Sequence, residues 1–469
     1  MELEVMKKLI KRYEPMHMAF VRSCDIAERY YRNRTDVLFQ QKKEKKEDEE
    51  GHPLRNADNR IPRNFHGLIV NQKASYAFTA PPLFNVGNKE ANQQVMGALG
   101  DEYKKNCKEL CVNAANCSIA WAHYWRGENG FEWAVVDSKE IIPVMSRKLK
   151  KKLLGVFRIY PDVDEVTGDN YMIYEYWTET ECQAFHRRIG DTVDDGLSYY
   201  DMFINPETGD PVAQYHHDME EVPFIPFRNN NIDTDDLINI KPLIDVYDKV
   251  FSGFINDLDD IQELIFILRG YGGTELNGFL QELKKYKVIK LDPDEDADAK
   301  TLSIEIPIEA RNSVLEATRK AIFEQGQGFD PQPENFGNQS GEALKFMYAM
   351  LEMKTGLMQT EFETGFAKLV RAVCRFYGLE CDKIVQTWTR TSIKNDTEQA
   401  QICQNSIGIV SKKTILASHP LVEDVEEELK QLAKEEKEAQ EKAEQYGSAF
   451  GGTGNGNEED GDDVNGGKE

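Results

Sequence analysis

Residues 241–268 read KPLIDVYDKVFSGFINDLDDIQELIFIL, and the apolar positions Ile244, Tyr247, Phe251, Phe254, Leu258, Ile261, Ile265 and Leu268 alternate spacings of three and four. That spacing is a heptad seam, the signature of a helix that lays one stripe against a neighbour along its length. At about 1.5 Å per residue the stretch predicts a rod of roughly 40 Å. The glycines of RGYGG, residues 269–273, end it.

Outward from this rod toward the C-terminus lies a small insert: a strand-like YKVIKL, an acidic turn DPDEDAD and a strand-like TLSIEIP. Helical spacing resumes at Ile308, Leu315 and Ile322, so two rods flank a compact tip. The glycines, prolines and amides of GQGFDPQPENFGNQSG, residues 326–341, then predict an exposed loop. A longer helix follows from about Glu342 to Tyr377, with Leu344, Met347, Leu351, Met358, Phe362, Phe366, Leu369 and Val373 on one side and Gly356 and Gly365 as places to bend. Beyond Asp396 come two helices, then Val422, Val425, Leu429, Leu432, Ala439 and Ala443 at helical spacing. From Gly447 the chain is low-complexity and acidic, and disorder is expected.

Toward the N-terminus, 118–227 carries short aromatic and β-branched runs, SIAWAHYW, FEWAVVD, LLGVFRIY, YMIYEYW and EVPFIPF, separated by turn sequences such as VDEVTGDN and NPETGDP. These predict a mostly antiparallel sheet. NRIPRNFHGLIVNQKASYAFTAPP predicts a buried helix with Phe65, Leu68, Ile69 and Ala74 inward, stopped by Pro81 and Pro82. Residues 1–35 read as helix, and QKKEKKEDEE, residues 41–50, as a solvated loop. Segregated sheet and helix runs make the fold class α+β.

The 469 residues are 40% hydrophobic, enough to bury real cores. No run approaches the roughly 18 apolar residues of a membrane span, and MELEVMKKLIKRYEP lacks a signal-peptide profile, so the expected setting is a cytoplasm and no membrane partner is expected. The formal charge is −25, with 16 acids and 5 bases in 422–469 alone. A chain this acidic repels a phosphate backbone and argues against tight DNA binding by counterion release, though not against DNA sliding past. The eight cysteines lack paired metal-ligand spacing; Cys107, Cys111 and Cys117 fall in a helical stretch and read as buried free thiols, with no metal assigned.

No motif for catalysis or cofactor binding stands out. GxxxxGK[ST], GxSxG and HExxH are absent, and His216 and His217 read as surface histidines. Asp257, Asp259, Asp260 and Glu263 are the sharpest catalytic candidates, because clustered carboxylates can hold paired magnesium ions that cleave phosphodiesters. They also flank Leu258 and Ile261, as expected of the polar side of an amphipathic rod, which is the plainer reading.

Taken in order, NRIPRNFHGLIVNQKASYAFTAPP, EVPFIPFRNN, the rod through RGYGG, YKVIKLD, ENFGNQSGEALKFMYAMLEMK and SIGIVSKKTILASHPLVEDVEEEL resemble the portal proteins of the SPP1-like siphophage family over nearly the whole chain apart from the acidic tail. The resemblance implies a wing over 1–240, a first stem helix over 241–269, a clip over 270–306, a second stem helix over 307–325, a tunnel loop over 326–341, a long kinked helix over 342–378, a crown over 379–446 and a disordered tail over 447–469. It implies a homo-oligomeric ring of about twelve copies. That ring would sit at the capsid vertex of the virion after assembly in the host cytoplasm, as a channel for packaging and ejecting double-stranded DNA.

Expected partners are transiently and non-specifically bound DNA, the terminase large subunit that supplies the ATPase, the major capsid and scaffolding proteins, and a head-tail adaptor. No enzymatic activity is implied. Gln332, Glu334, Asn335, Asn338 and Gln339 would face the DNA, with Lys345 the nearest positive charge. Two alternatives stand beside this: a head-assembly scaffold without a channel, and a metal-dependent DNA-processing enzyme built on the acid group.

Overall fold

The computed structural model describes residues 2–40, 57–128, 130–261, 265–269, 298–302, 307–332, 348–390, 396–422 and 424–450. Those up to Arg390 form one unit and those from Asp396 a second. The fold is α+β, as the segregated runs imply.

Among the described residues of the first unit, the strand-rich region is two larger antiparallel sheets and a two-stranded ribbon of β9 (Phe203–Ile204) with residues 211–212, rather than one sheet. Strands β2 (Ile119–Gly127), β3 (Gly130–Val136) and β12 (Phe224–Arg228) make a three-stranded sheet in the order β12-β2-β3. Strands β4 (Ile141–Met145), β5 (Leu153–Val163), β6 (Asn170–Trp177), β7 (Glu181–Arg188) and β11 (Gln214–His216) make the other in the order β11-β7-β6-β5-β4, with β8 (Ser198–Tyr199) also on β7. A buried layer of Trp121, Val156, Trp177, Cys182 and Phe224 joins the two. The turns between β5 and β6 and before the short strand β10 (Pro211–Val212) use Gly168 and Gly209 at φ of +75° and +76°, a region open to glycine without strain.

Helix α1 (Leu3–Tyr31) lays Met6 and Ile10 on the six-stranded sheet against Phe157, Tyr174 and Phe185. On the three-stranded sheet pack α3 (Lys89–Leu99), α4 (Tyr103–Cys117) and a long helix over Ala349–Tyr377, in a core of Phe84, Tyr103, Leu110, Phe227, Phe362, Phe366 and Leu369. Leu351, Met358, Phe362, Phe366, Leu369 and Val373 are all buried, as their spacing predicts; Leu344 and Met347 lie outside the described residues. The long helix runs without interruption past both glycines. Gly365 serves close approach: a Cβ there would stand 2.6 Å from the Phe227 ring.

The rod differs from its expectation. Helix α6 (Lys241–Ile261) stops before the seam does, and β13 (Ile265–Arg269) is a strand paired antiparallel with β14 (Asp298–Leu302). A short apolar run satisfies a heptad and a strand equally, and IFIL is β-branched and aromatic enough to pair. The described 21 residues of α6 span about 32 Å. YKVIKL lies outside the described residues. Helix α7 (Ile308–Gly326) returns along α6.

Residues 379–390, expected within the crown, belong to the first unit: β15 (Val385–Thr387) pairs antiparallel with β1 (Leu83–Asn85). With the long helix as α8, the second unit holds α9 (Asp396–Asn405), α10 (Lys412–Ser418) and α11 (Val425–Phe450). Ser411 caps α10 by accepting from the Thr414 amide. Helix α11 continues through Gly447, where the tail was expected to begin.

Candidate functional site

Helix α2 (Phe65–Ala77) buries Phe65, Ile69 and Ala74, and the same stripe also carries Lys73, which is 1% exposed. An ammonium ion cannot be left there without partners. Lys73 Nζ donates to Asn229 Oδ1 and lies 3.1 Å from Asp236 Oδ2. A second lysine, Lys354 on the apolar stripe of α8, reaches the same Asp236 oxygen at 3.1 Å and donates to the Gly326 carbonyl at 2.8 Å. Asn229 Nδ2 donates to Asp236 Oδ1 at 2.9 Å, and the Asp236 amide to the Ala115 carbonyl of α4 at 2.8 Å.

Burial alone would raise the Asp236 pKa, but the charges of Lys354 and Lys73 and the Asn229 hydrogen bond overcome it and hold the carboxyl well below its ordinary range. The Asp236 carboxylate thus ties α2 to α8, its amide holds α4, and Lys354 carries the link on to the last turn of α7. His66, 1% exposed and donating through Nε2 to Asn116 Oδ1 at 2.9 Å, is kept neutral by burial, its pKa lowered to about 4.

The chain leaving this hub is fastened residue by residue. Gly326 and Gly328 press onto Ile69, where added Cβ atoms would come within 2.7 and 2.8 Å of its side chain, and Gln327 between them takes a left-handed φ of +51°. The Gln72 amide then clamps one backbone position from both sides, accepting from the Phe329 amide at 2.9 Å and donating to the Phe329 carbonyl at 2.6 Å. Arg319 of α7 holds Asp330 bidentately at 2.9 and 2.6 Å. Phe329 stacks on Tyr348, the residue just before α8, with centroids 4.8 Å apart and planes at 11°. Tyr348 in turn stacks on Tyr76 of α2, whose hydroxyl donates to Glu352 Oε2 at 2.6 Å. Both ends of the 333–347 stretch are therefore fixed to the same helix. Gln332 is half-buried at the first of these ends; Glu334, Asn335, Asn338, Gln339 and Lys345 lie outside the described residues.

A second polar contact runs along α6. Asp248, Ser252 and Asn256 stand four residues apart on one face, and their side chains accept the amides of Arg63, Ile61 and Asn59 at 3.0, 3.0 and 2.6 Å. Alternate amides of an extended chain repeat at about 6.7 Å and helix turns at about 6 Å, so the two ladders match. Burial raises the Asp248 pKa to about 6, against hydrogen bonds from the Thr35 hydroxyl and the Arg63 amide.

The described members of the acid group each have their own partner. Asp257 pairs with Arg311 of α7, and Asp259 accepts from Asn59 Nδ2 at 2.6 Å; the Asp260 side chain and Glu263 lie outside the described residues. Among the described residues no three His, Cys, Asp or Glu side chains form a group able to hold a metal ion, and no helix is long and apolar enough to cross a membrane. Cys107, Cys111 and Cys117 are buried free thiols; burial raises the first two pKa values, that of Cys111 to about 12. Of the two expected surface histidines only His216 is exposed. His217 is 6% exposed, bonded to the Thr178 carbonyl at 3.2 Å and packed beside Trp177.

The family model described as phage portal protein, SPP1 Gp6-like, matches residues 10–442. The chain belongs to this portal family. A portal protein of Clostridium phage phiCD119 is 41% identical over 457 residues, covering 93% of this chain and 97% of the relative. The portal protein of Bacillus phage SPP1 is 29% identical over 421 residues, covering 87% and 82%. A solved chain from the virion of a native gene transfer agent particle aligns at TM-score 0.46 and 12% identity, covering 76% of this chain and 90% of that one. Portal proteins form the ring at the capsid vertex that passes double-stranded DNA and serves as a docking platform, and the family's role is structural.

Sequence reasoning passed over the hub. Lys73 and Lys354 do sit on the apolar stripes of their helices, at four-residue steps from Phe65 and Ile69 and from Met358 and Phe362, which is the signal that marks a buried lysine seeking a partner. Asp236, in NNNIDTDD, reads only as a break between regions.

Proposed function

We propose that this chain assembles into a ring of about twelve copies, with α6 and α7 as the stem and the 326–341 loop turned toward the DNA that passes through. It acts in the virion at the portal vertex after assembly in the host cytoplasm. The packaging motor is a separate terminase, which docks with the head-tail adaptor on the clip; capsid and scaffolding proteins surround the ring. The chain itself carries out no catalysis. Gln332, Asn335, Asn338 and Gln339 touch DNA through neutral amide side chains that do not grip phosphate, the Glu334 carboxylate adds local repulsion, and Lys345 is the first positive charge behind them.

The observation that carries this reading is the double anchoring of the loop. Asp236, Lys354 and Gln72 secure its first residues and Tyr348 its return, so a stretch meant to meet a moving polymer is held by a rigid base. The test is in vivo complementation of a phage lacking its portal. Deleting 334–339, or substituting Lys345→Ala, should leave rings in the particle while lowering the DNA packaged. Normal packaging by both variants would contradict the DNA-facing role.

A further inference from the structure

The six-stranded sheet is electrically polarised along its strands. At one end, the β4–β5 connection SRKLKKK places Arg147, Lys148, Lys150, Lys151 and Lys152 around Leu149, which is 106% exposed, with Leu154 at 47% beside it. Lys152 pairs with Glu179; the other four cations, all exposed, have no ion pair among the described residues. On a chain of net charge −25 this is a local reversal of sign. At the other end, the β5–β6 turn places Asp162 and Glu165 around Val166, 95% exposed, and Val163, 53% exposed. The chain leaving β7 joins this end: the Ile189 amide donates to the Asn170 carbonyl at 2.9 Å, bringing 51%-exposed Ile189 and Asp191 alongside. Strands β5, β6 and β7 run between the two ends, and the eleven residues of β5 set them about 36 Å apart.

Each end is thus an apolar spot rimmed by charge, predominantly basic at the first, where Glu179 pairs with Lys152, and predominantly acidic at the second, where Arg188 pairs with Asp169. The leucine among cations at one end is complemented by an apolar patch among carboxylates at the other. A head-to-tail interface joins two different surfaces of the same chain, which is what these two ends supply. Copies that each carry −25 repel one another over most of their surface, so attraction must be local.

We propose that the basic β4–β5 end of one copy docks on the acidic β5–β6 end of a neighbouring copy. This rests on the reading of the protein as a ring. Leu149 enters the patch of Val163, Val166 and Ile189, and Arg147, Lys148, Lys150 and Lys151 face Asp162, Glu165 and Asp191.

The test is a charge swap in the full-length chain, with ring formation followed by mass photometry against protein concentration and salt. The variant R147E/K148E/K150E/K151E is expected to raise the concentration at half-assembly about tenfold or more. The variant D162K/E165K/D191K should do the same, and the two sets combined should restore assembly, because every copy again offers complementary ends. Circular dichroism verifies that each variant folds. Rings from either single set at wild-type concentration overturn this contact while leaving the ring reading intact, as does a reversed basic end that loses only salt-sensitive retention on duplex DNA. A folded wild-type chain that forms no ring overturns both.

Discussion

The long helix α8 is held in two different ways along its length. Its C-terminal half is packed by Phe362, Phe366, Leu369 and Val373 against Phe227, with Gly365 bringing the aromatic ring close to the backbone. Its N-terminal end, next to the loop, is held by charge: Lys354 and Lys73 share Asp236, and Lys354 also grips the Gly326 carbonyl. Apolar packing is tolerant of sliding and of volume-conserving change, while a buried ion cluster has one satisfied geometry and is costly in every other. The polar end is therefore suited to fixing a position, and it is the end from which the proposed DNA-facing loop departs.

Removing the shared carboxylate is the strongest way to break this contrast. Asp236→Ala leaves two lysines buried without their counter-ion and should cost about 3–5 kcal/mol, read as a fall in the urea midpoint. The cost should shrink in Asp236→Ala with Lys73→Met and Lys354→Met, because the stranded charges are gone. At the apolar end, Gly365→Ala forces the Phe227 ring aside and should cost about 1–3 kcal/mol in the same assay, with no effect on exchange of the Phe329 amide. Gln72→Ala gives the converse result, a loss of about 1 kcal/mol together with faster hydrogen exchange at Phe329.

The smallest effect sharpens the contrast by its sign. Asp236 has a depressed pKa, so its stabilisation is present above the ordinary value of 3.8 and is lost as pH falls below it. Asp248 has a raised one: its contribution is full below 3.8 and is lost as pH rises through about 6. Asp248→Asn should therefore gain stability relative to the parent between about pH 4.5 and pH 7.5, measured by urea melts at both values, whereas no such gain is expected from Asp236→Asn.

Periodicity made most of the framework legible. The buried stripe of α8 and the inward residues Phe65, Ile69 and Ala74 of α2 follow from spacing because burial there is apolar and local. It misread 265–268, where every residue is apolar and a helix and a strand leave the same pattern. It also could not divide one strand run into separate sheets, because pairing partners such as β2 and β12 lie about a hundred residues apart. The hub escaped for a related reason: Lys73 meets Asp236 across 163 residues, and nothing near either one in the chain names the other. The charged ends of the six-stranded sheet were visible as runs in the sequence, but only the register of β5 against its neighbours puts them at opposite ends of one surface.

The central claim is that these anchored loops surround a channel in a closed ring of identical chains. Electron microscopy of the purified protein viewed down its symmetry axis, with the particle mass determined in parallel, tests it most directly. The account predicts a ring of about twelve copies with a central hole wide enough for duplex DNA. A small closed dimer without a hole would contradict it.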